Sequence, residues 1–323
     1  MKNSQVLMTG PMMPLIIDRL DRSLTLHRLW DMDDPQGFIR DRGAEIGGIA
    51  TGAFLAPVTG EFLSQFPNLK MISNFGVGYD TVDAVWAGEN GVIVTNTPDV
   101  LTEETADTAF GLMLMTVREF SQSERYLRAG RWEKEGAYPL SRGSLRNRTL
   151  GIAGLGRIGK AIARRAEGSA LPVAYHGRSQ QEGVAYPYFA ELIELARAVD
   201  ILMVVMPGGA DTDGIINAEI LDALGPDGVL INIARGSVVD EPALIAALEE
   251  GRIMAAGLDV FANEPHVPAR LMALENAVLL PHLGSGSIVT RDAMANLTVD
   301  NLIAWAKGEA PLTPVKETIF SNW

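Results

Sequence analysis

The stretch TLGIAGLGRIGKAIARRA, residues 149–166, constrains the fold more than any other part of the chain. An apolar run leads into Gly154, Gly156 and Gly159 in G-x-G-x-x-G spacing, and an amphipathic helical pattern follows. The spacing alone arises by chance in glycine-rich chains; the strand before it and the helix after it make it credible. Gly154 permits the tight turn, Gly156 lets backbone N–H groups approach a pyrophosphate, and Gly159 allows close helix–strand packing. The positive helix N-terminus stabilises the added negative charge. A plain strand-to-helix turn would share these glycines, so the dinucleotide reading rests on what surrounds them.

What surrounds them is a regular alternation of short apolar runs and helical patterns, which reads as parallel sheet with crossover helices. Starting at 148–154, strand patterns recur at 171–176, 200–206, 228–234, 252–260 and 277–282, the inventory of a full dinucleotide-binding sheet. Before them come five shorter candidates at 6–8, 24–30, 47–51, 69–75 and 91–96, which suggest a smaller sheet domain. Thr102 can cap a long helix, with Glu103 and Glu104 at its positive end and an apolar face from Ala106 to Val117, expected to run to about residue 129. A last helix is expected at roughly 287–307, followed by a tail that returns to the first domain. The expected division is residues 1–99 plus 287–323 as a discontinuous substrate domain, and 100–286 as the dinucleotide-binding domain.

Composition narrows the function. A net charge of −13 opposes general affinity for nucleic acid or an anionic membrane. The absence of cysteine excludes disulfides, thiolate catalysis and thiolate metal sites. No secretory pattern opens the chain, and ILMVVM (201–206) is too short to span a bilayer, so a cytoplasmic enzyme is expected. His266 and His282 are too isolated to suggest a metal site.

The second strand of the larger series ends at His176, 17 residues after Gly159, close to where a ribose contact belongs. A cofactor without a 2′-phosphate is usually held there by Asp or Glu, yet the chain offers HGRS and no acid until Glu182. A carboxylate ~4 Å from a 2′-phosphate would be opposed by roughly 4 kcal/mol per unit charge at an effective dielectric near 20. Arginine reverses that sign and can grip two phosphate oxygens. Arg178, with Ser179, is therefore expected to receive the 2′-phosphate of NADP(H), with His176 and Gly177 as further cofactor-binding residues of the turn and NAD(H) possible; the competing reading is an exposed loop arginine.

Three further residues sit beyond strand ends, where open α/β sheets gather ligands: Arg235, Glu264 and His282. Hydride transfer to a ketone needs a proton donor for the new alkoxide and a cation for the substrate's carboxylate. His282 suits the first task and Arg235 the second, while Glu264 would orient His282 and keep it protonated.

The motifs GLGRIG, INIARGSVVDEPAL, AGLDVFANEP and LLPHLGSGS, in that order, resemble the D-isomer-specific 2-hydroxyacid dehydrogenase family. NFGVGYDTVD, VTNTPDVLTEETADTAFGLML and RAGRW extend the likeness over nearly the whole chain, toward the glyoxylate/hydroxypyruvate and hydroxyphenylpyruvate reductase branch. The resemblance implies an α/β fold of two parallel-sheet domains, a Rossmann cofactor domain and a smaller flavodoxin-like one. It implies reduction of a small 2-oxo acid to the D-2-hydroxy acid by NADPH, with Arg235, Glu264 and His282 catalytic. Backbone N–H groups at Val77 and Gly78 would hold the substrate carboxylate; Leu55 would line the substrate and Trp132 the neighbouring subunit's pocket, although Trp132 equally suits dimer packing. The cofactor would meet Gly154, Leu155, Gly156, Arg157, Ile158 and Gly159, and also Thr105, Pro207, Thr212, Ile233, Ala234, Asp259 and Gly284. A homodimer formed through the cofactor domain, with 110–150 reaching to the partner, is also implied. MPGGADTDG (206–214) departs from the family's usual turn, and Gly208 and Gly209 are expected to loosen it. Two alternatives stay open: an NAD-dependent relative of the phosphoglycerate or formate type, and a non-catalytic protein that senses the cofactor.

Overall fold

A computed structural model describes residues 4–318. The chain divides into two compact units, one running to Leu101 and resuming at Ser287, the other Thr102–Gly286.

The first unit is a five-stranded sheet: β1 (Gln5–Met8), β2 (Thr25–Arg28), β3 (Ile46–Gly52), β4 (Met71–Phe75) and β5 (Ile93–Thr95), in the order β2-β1-β3-β4-β5. Every pairing is parallel. Parallel strands need crossovers that cover both faces, which is why β3 and β4 are nearly continuous buried runs rather than alternating ones. Ile49, Leu63, Ile72 and Val94 pack on one side, and Val6, Met8, Ile16 and Met71 on the other, together with Val299 and Leu302. At the free side of β5, the Val315 N–H donates to Val94 O at 2.9 Å and the Val94 N–H donates to Thr318 Oγ1 at 3.1 Å. This pairing satisfies an edge that would otherwise be exposed.

The second unit holds β6 (Leu150–Ala153), β7 (Val173–His176), β8 (Tyr188–Phe189), β9 (Ile201–Val204), β10 (Val229–Asn232), β11 (Ala255–Leu258) and β12 (Ala277–Leu279). Their order is β12-β11-β10-β9-β6-β7-β8, all parallel. This is the dinucleotide-binding order with one added strand, and its direction reverses between β6 and β9. At such a switch the crossovers leave to opposite faces and open a crevice at the strand C-termini. The expected α/β architecture of two parallel sheets is therefore present. One strand was not expected: β8 is two residues long, too short to carry a period of its own, and its identity comes from pairing with β7.

The helix after Thr102 also differs from expectation. It forms α1 (Thr102–Val117), then breaks, and resumes as α2 (Phe120–Arg128) rather than running unbroken to 129. Glu119 takes a left-handed φ of 56° at the break. Its carboxylate accepts from Tyr138 Oη at 3.0 Å and from the Arg142 N–H at 3.2 Å, distant groups that offset the local strain. Two more helices matter below: α3 (Arg157–Gly168), which follows the glycine-rich turn, and α4 (Ile288–Ala306), capped by Ser287 Oγ accepting from the Thr290 N–H.

Candidate active site

In the second unit the chain leaves β6 through Gly154, which has φ 104°, a left-handed value that favours glycine. A Cβ on Gly159 would lie 2.4 Å from Gly154 O, so the first turn of α3 can sit against the strand only without a side chain there. Gly156 has open space where its Cβ would be. The turn thus combines a close-packed base with an uncrowded mouth at the N-terminus of a helix 12 residues long, which fits a pyrophosphate. Leu155 is buried beneath the turn, Ile158 half-buried and Arg157 exposed.

The HGRS turn after β7 is held from three directions. Tyr188 Oη donates to Gly177 O at 3.2 Å, and the Gln181 N–H donates to Tyr175 Oη at 2.8 Å. Gln181 Nε2 donates to Leu155 O at 2.8 Å, tying this turn to the glycine-rich one. His176 Nδ1 lies 3.1 Å from Phe189 O, while Arg178 and Ser179 are exposed. A 2′-phosphate beside the adenine ribose would find a cation and a hydroxyl here, and no carboxylate among residues 174–181.

Arg235, Glu264 and His282 stand at the ends of β10, β11 and β12. His282 has φ 54°, unusual for a residue with a side chain, and its N–H donates to Asp259 O at 2.9 Å and to Leu280 O at 3.1 Å. Strain of this kind costs about 1–3 kcal/mol and persists only where surroundings over-determine it, as at sites of function. Its Nδ1 is 2.7 Å from Glu264 Oε2, with both side chains about a quarter exposed. Glu264 Oε1 accepts from the Phe261 N–H at 3.0 Å, so the carboxylate's direction is set by its own loop. Burial alone would raise the Glu264 pKa. The His282 hydrogen bond, the Phe261 N–H and the charges of His282 and Arg235 together outweigh it, and Glu264 ends below its ordinary value. The carboxylate is therefore the acceptor, which assigns the Nδ1 proton to the imidazole.

Asp259 is buried, and its two oxygens accept from the N–H groups of Leu283 (2.6 Å) and Gly284 (2.8 Å). Burial pushes its pKa up, against the pull of those two bonds and of the His282 charge. Thr105 Oγ1 donates to Gly284 O at 2.7 Å, so Thr105, Gly284 and Asp259 form one brace behind His282. Arg235 is set by Asn232, whose Nδ2 donates to Arg235 O at 2.9 Å and whose Oδ1 accepts from the Ala234 N–H at 3.0 Å. Arg235 Nη1 donates to Ala234 O at 2.8 Å; Ile233 and Ala234 are buried just before it.

Two glycines around Arg235 were not singled out by sequence reasoning as parts of this cluster. A Cβ on Gly236 would fall 1.8 Å from the backbone carbon of Phe261, so the Arg235 turn and the Glu264 loop approach only at glycine. A Cβ on Gly208 would meet Arg235 Cγ at 2.9 Å. Within the turn at 206–214, Thr212 Oγ1 donates to Pro207 O at 2.8 Å and lies 3.2 Å from Gly209 O. The signal for Gly236 was present in its place directly after Arg235; Gly208 gave none, because its neighbour is 27 residues away.

In the first unit, Val77 and Gly78 are half-buried in the turn after β4, and Leu55 is half-buried in the turn after β3. Phe54 is exposed, with the Arg291 guanidinium of α4 5.9 Å from its ring centre and 5.7 Å from that of Phe75. Tyr79 Oη donates to Glu317 Oε2 at 3.0 Å; burial and then that carboxylate push the phenol up to about 12, so it remains a donor at neutral pH. Trp132 lies exposed on the short helix Arg131–Glu135 of the second unit. Among the described residues, no group of three or more His, Cys, Asp or Glu side chains could hold a metal ion, and no helix is long and apolar enough to cross a membrane.

Comparison with known proteins gives a consistent setting. Residues 110–284 match the family model described as D-isomer specific 2-hydroxyacid dehydrogenase, NAD binding domain. The chain is 46% identical over 310 residues to hydroxyphenylpyruvate reductase of Plectranthus scutellarioides, covering 96% of this chain and 98% of the relative. It is 44% identical over 315 residues to a glyoxylate/hydroxypyruvate reductase of Arabidopsis thaliana, covering 98% and 100%. Among solved structures, an NADPH-dependent glyoxylate/hydroxypyruvate reductase of Sinorhizobium meliloti, in complex with NADP and malonate, superposes with a TM-score of 0.92 at 48% identity, covering 98% of each chain.

Proposed function

This chain belongs to the D-isomer-specific 2-hydroxyacid dehydrogenase family, and from that membership we propose that His282 is the proton donor with which it reduces small 2-oxo acids. The chain is an NAD(P)-dependent 2-oxo acid reductase of the glyoxylate/hydroxypyruvate and hydroxyphenylpyruvate branch. The observation that carries the His282 assignment is the left-handed histidine bonded through Nδ1 to a Glu264 held in its anionic form.

When bound, NADPH supplies the hydride; Gly154, Gly156, Gly159 and the N-terminus of α3 are the groups suited to its pyrophosphate, and Arg178 and Ser179 to its 2′-phosphate. Arg235 draws the substrate by its anionic end and polarises the carbonyl. As the carbonyl carbon gains hydride, the π pair moves to oxygen and His282 Nε2 delivers its proton there. The ring is left neutral, with Nδ1–H still donated to Glu264. In the reverse direction the neutral ring takes the hydroxyl proton. Backbone N–H groups of Val77 and Gly78 receive the carboxylate in this reading. Steady-state rates with glyoxylate, hydroxypyruvate and hydroxyphenylpyruvate, each with NADPH and NADH, test the function; absence of turnover with all three would remove it.

The 2′-phosphate assignment makes a separate expectation. A charge-assisted bond is worth about 1.5–3 kcal/mol, so Arg178→Ala should raise the Kd for NADPH about 10- to 100-fold and leave that for NADH within about threefold. Fluorescence titration of the reduced cofactors measures both. Equal weakening would return Arg178 to an ordinary exposed loop residue.

We also infer a homodimer in which the 110–150 region meets a second copy. Leu127, Trp132 and Leu140 expose 54%, 61% and 97% of their surfaces in this one segment, an apolar concentration that a solvated face does not require. Light scattering should give twice the 34.8 kDa of one chain. Leu140→Asp should shift the population toward monomer, and a wild-type monomer at micromolar concentration would contradict the inference.

A further inference from the structure

We propose that Asn74 and Asn96 are positioning residues that turn the backbone N–H groups of residues 77–79 into a receptor for the substrate's carboxylate. The inference rests on the reading that this turn takes that carboxylate, and adds what shapes it.

Asn74 is fully buried near the end of β4, and its Nδ2 donates to both Gly76 O (3.1 Å) and Gly78 O (2.9 Å). Asn96, just past β5, donates from Nδ2 to the intervening carbonyl, Val77 O, at 2.8 Å. The Thr97 N–H adds a second bond to Gly76 O at 3.0 Å. Three successive carbonyls are thus held by two side-chain amides, one in β4 and one just past β5. In a planar trans peptide the N–H points opposite to its own C=O. Fixing Gly76 O, Val77 O and Gly78 O therefore turns the N–H groups of Val77, Gly78 and Tyr79 away from the asparagines. Successive N–H groups freed from the usual strand alternation form a concavity that attracts anions.

Both amides are themselves placed. Asn74 lies in a sheet strand paired on both sides, with Thr51↔Asn74 in register. Asn96 O accepts from Thr313 Oγ1 at 2.6 Å, and the Asn96 N–H donates to Thr313 O at 3.3 Å. The chemistry also favours asparagine over its isosteres. Aspartate cannot donate to a carbonyl and would set a negative charge under an anion site, while leucine would take these donors from Val77 O and Gly78 O and leave Gly76 O with the Thr97 N–H alone.

The test uses the full-length enzyme with NADPH. Asn96→Ala should raise KM for glyoxylate about tenfold while kcat stays within about twofold, because carboxylate bonds are made alike in ground and transition states. Asn74→Ala, which removes two donors, should raise it further. KM for NADPH should not move in either variant, and the thermal stabilisation that malonate confers on the NADP-loaded protein should weaken in parallel. A merely structural role would lower kcat, cofactor binding and Tm together without this split. If Asn74→Ala does not fold, the half-buried Asn96→Ala decides alone. A folded Asn96→Ala with unchanged KM and unchanged malonate response overturns the proposal. Methyl glyoxylate separates the two levels: if the wild type reduces the uncharged ester as readily as the acid, carboxylate recognition itself fails. If the wild type discriminates between them and the variants discriminate as well as it does, only the positioning role fails.

Discussion

The His282→Ala enzyme is expected to oxidise NADPH in a single turnover about 10²- to 10⁴-fold more slowly than wild type at saturating 2-oxo acid, with NADPH affinity preserved. The magnitude follows from losing a positioned proton donor while leaving the groups suited to the dinucleotide in place. Stopped-flow absorbance of the reduced nicotinamide measures the step, and a rate within threefold of wild type would end the assignment. The pH profile adds an independent mark. Glu264 is held below its ordinary pKa, so its anion persists, and with it the grip on Nδ1, as pH falls below the usual glutamate range. The stability that this carboxylate contributes is fully present above its unfolded value and is lost as pH falls through the lowered folded value. Glu264→Gln should therefore flatten the acid fall in Tm, while also reducing turnover because a neutral amide stabilises the imidazolium less.

Arg235→Gln is expected to lower kcat/KM for glyoxylate about 10²- to 10³-fold, comparable to removing a preorganised donor from a developing oxyanion, about 2.7–4 kcal/mol. Glutamine keeps polarity and approximate reach but loses the charge and the planar fork. Arg235→Lys restores charge alone and should recover only part of the loss, since a point charge does not reproduce bidentate geometry. Steady-state kinetics of the three forms decide the matter. Equal activity of lysine and arginine would reduce the role of Arg235 to charge, and full activity of the glutamine form would exclude it from the site. Asn232, Gly208 and Gly236 make the fork's position specific, so neighbouring basic residues are not expected to substitute for it.

Much of this cluster was legible in the chain because each of its parts is local. A strand, three glycines and a helix declare themselves within 18 residues, since turn sterics and helix periodicity depend on near neighbours in sequence. The same holds for Arg235 straight after a buried strand and for His282 at the end of another. The proposal for the HGRS turn draws on charge alone, because what decides between a hydroxyl and a phosphate is the sign of the field. Less legible were Asn74 and Asn96. A polar amide inside LKMISNF or at the end of GVIVTN signals that something must satisfy it, but not which carbonyls do.

Sequence by itself determined the α/β architecture and its parallel sheets, and marked the candidates for the acid, the cation and the anion-binding turn. These follow from hydrophobic period, turn chemistry and charge over short stretches. Only the tertiary structure decided that β8 exists, that the helix breaks at Glu119, that Glu264 meets His282 at 2.7 Å, and that Gly208 and Gly236 make room around Arg235. Each of those depends on groups from 10 or more residues away meeting at distances of a few ångströms. Such meetings are set by the packing of whole elements, which no local pattern encodes.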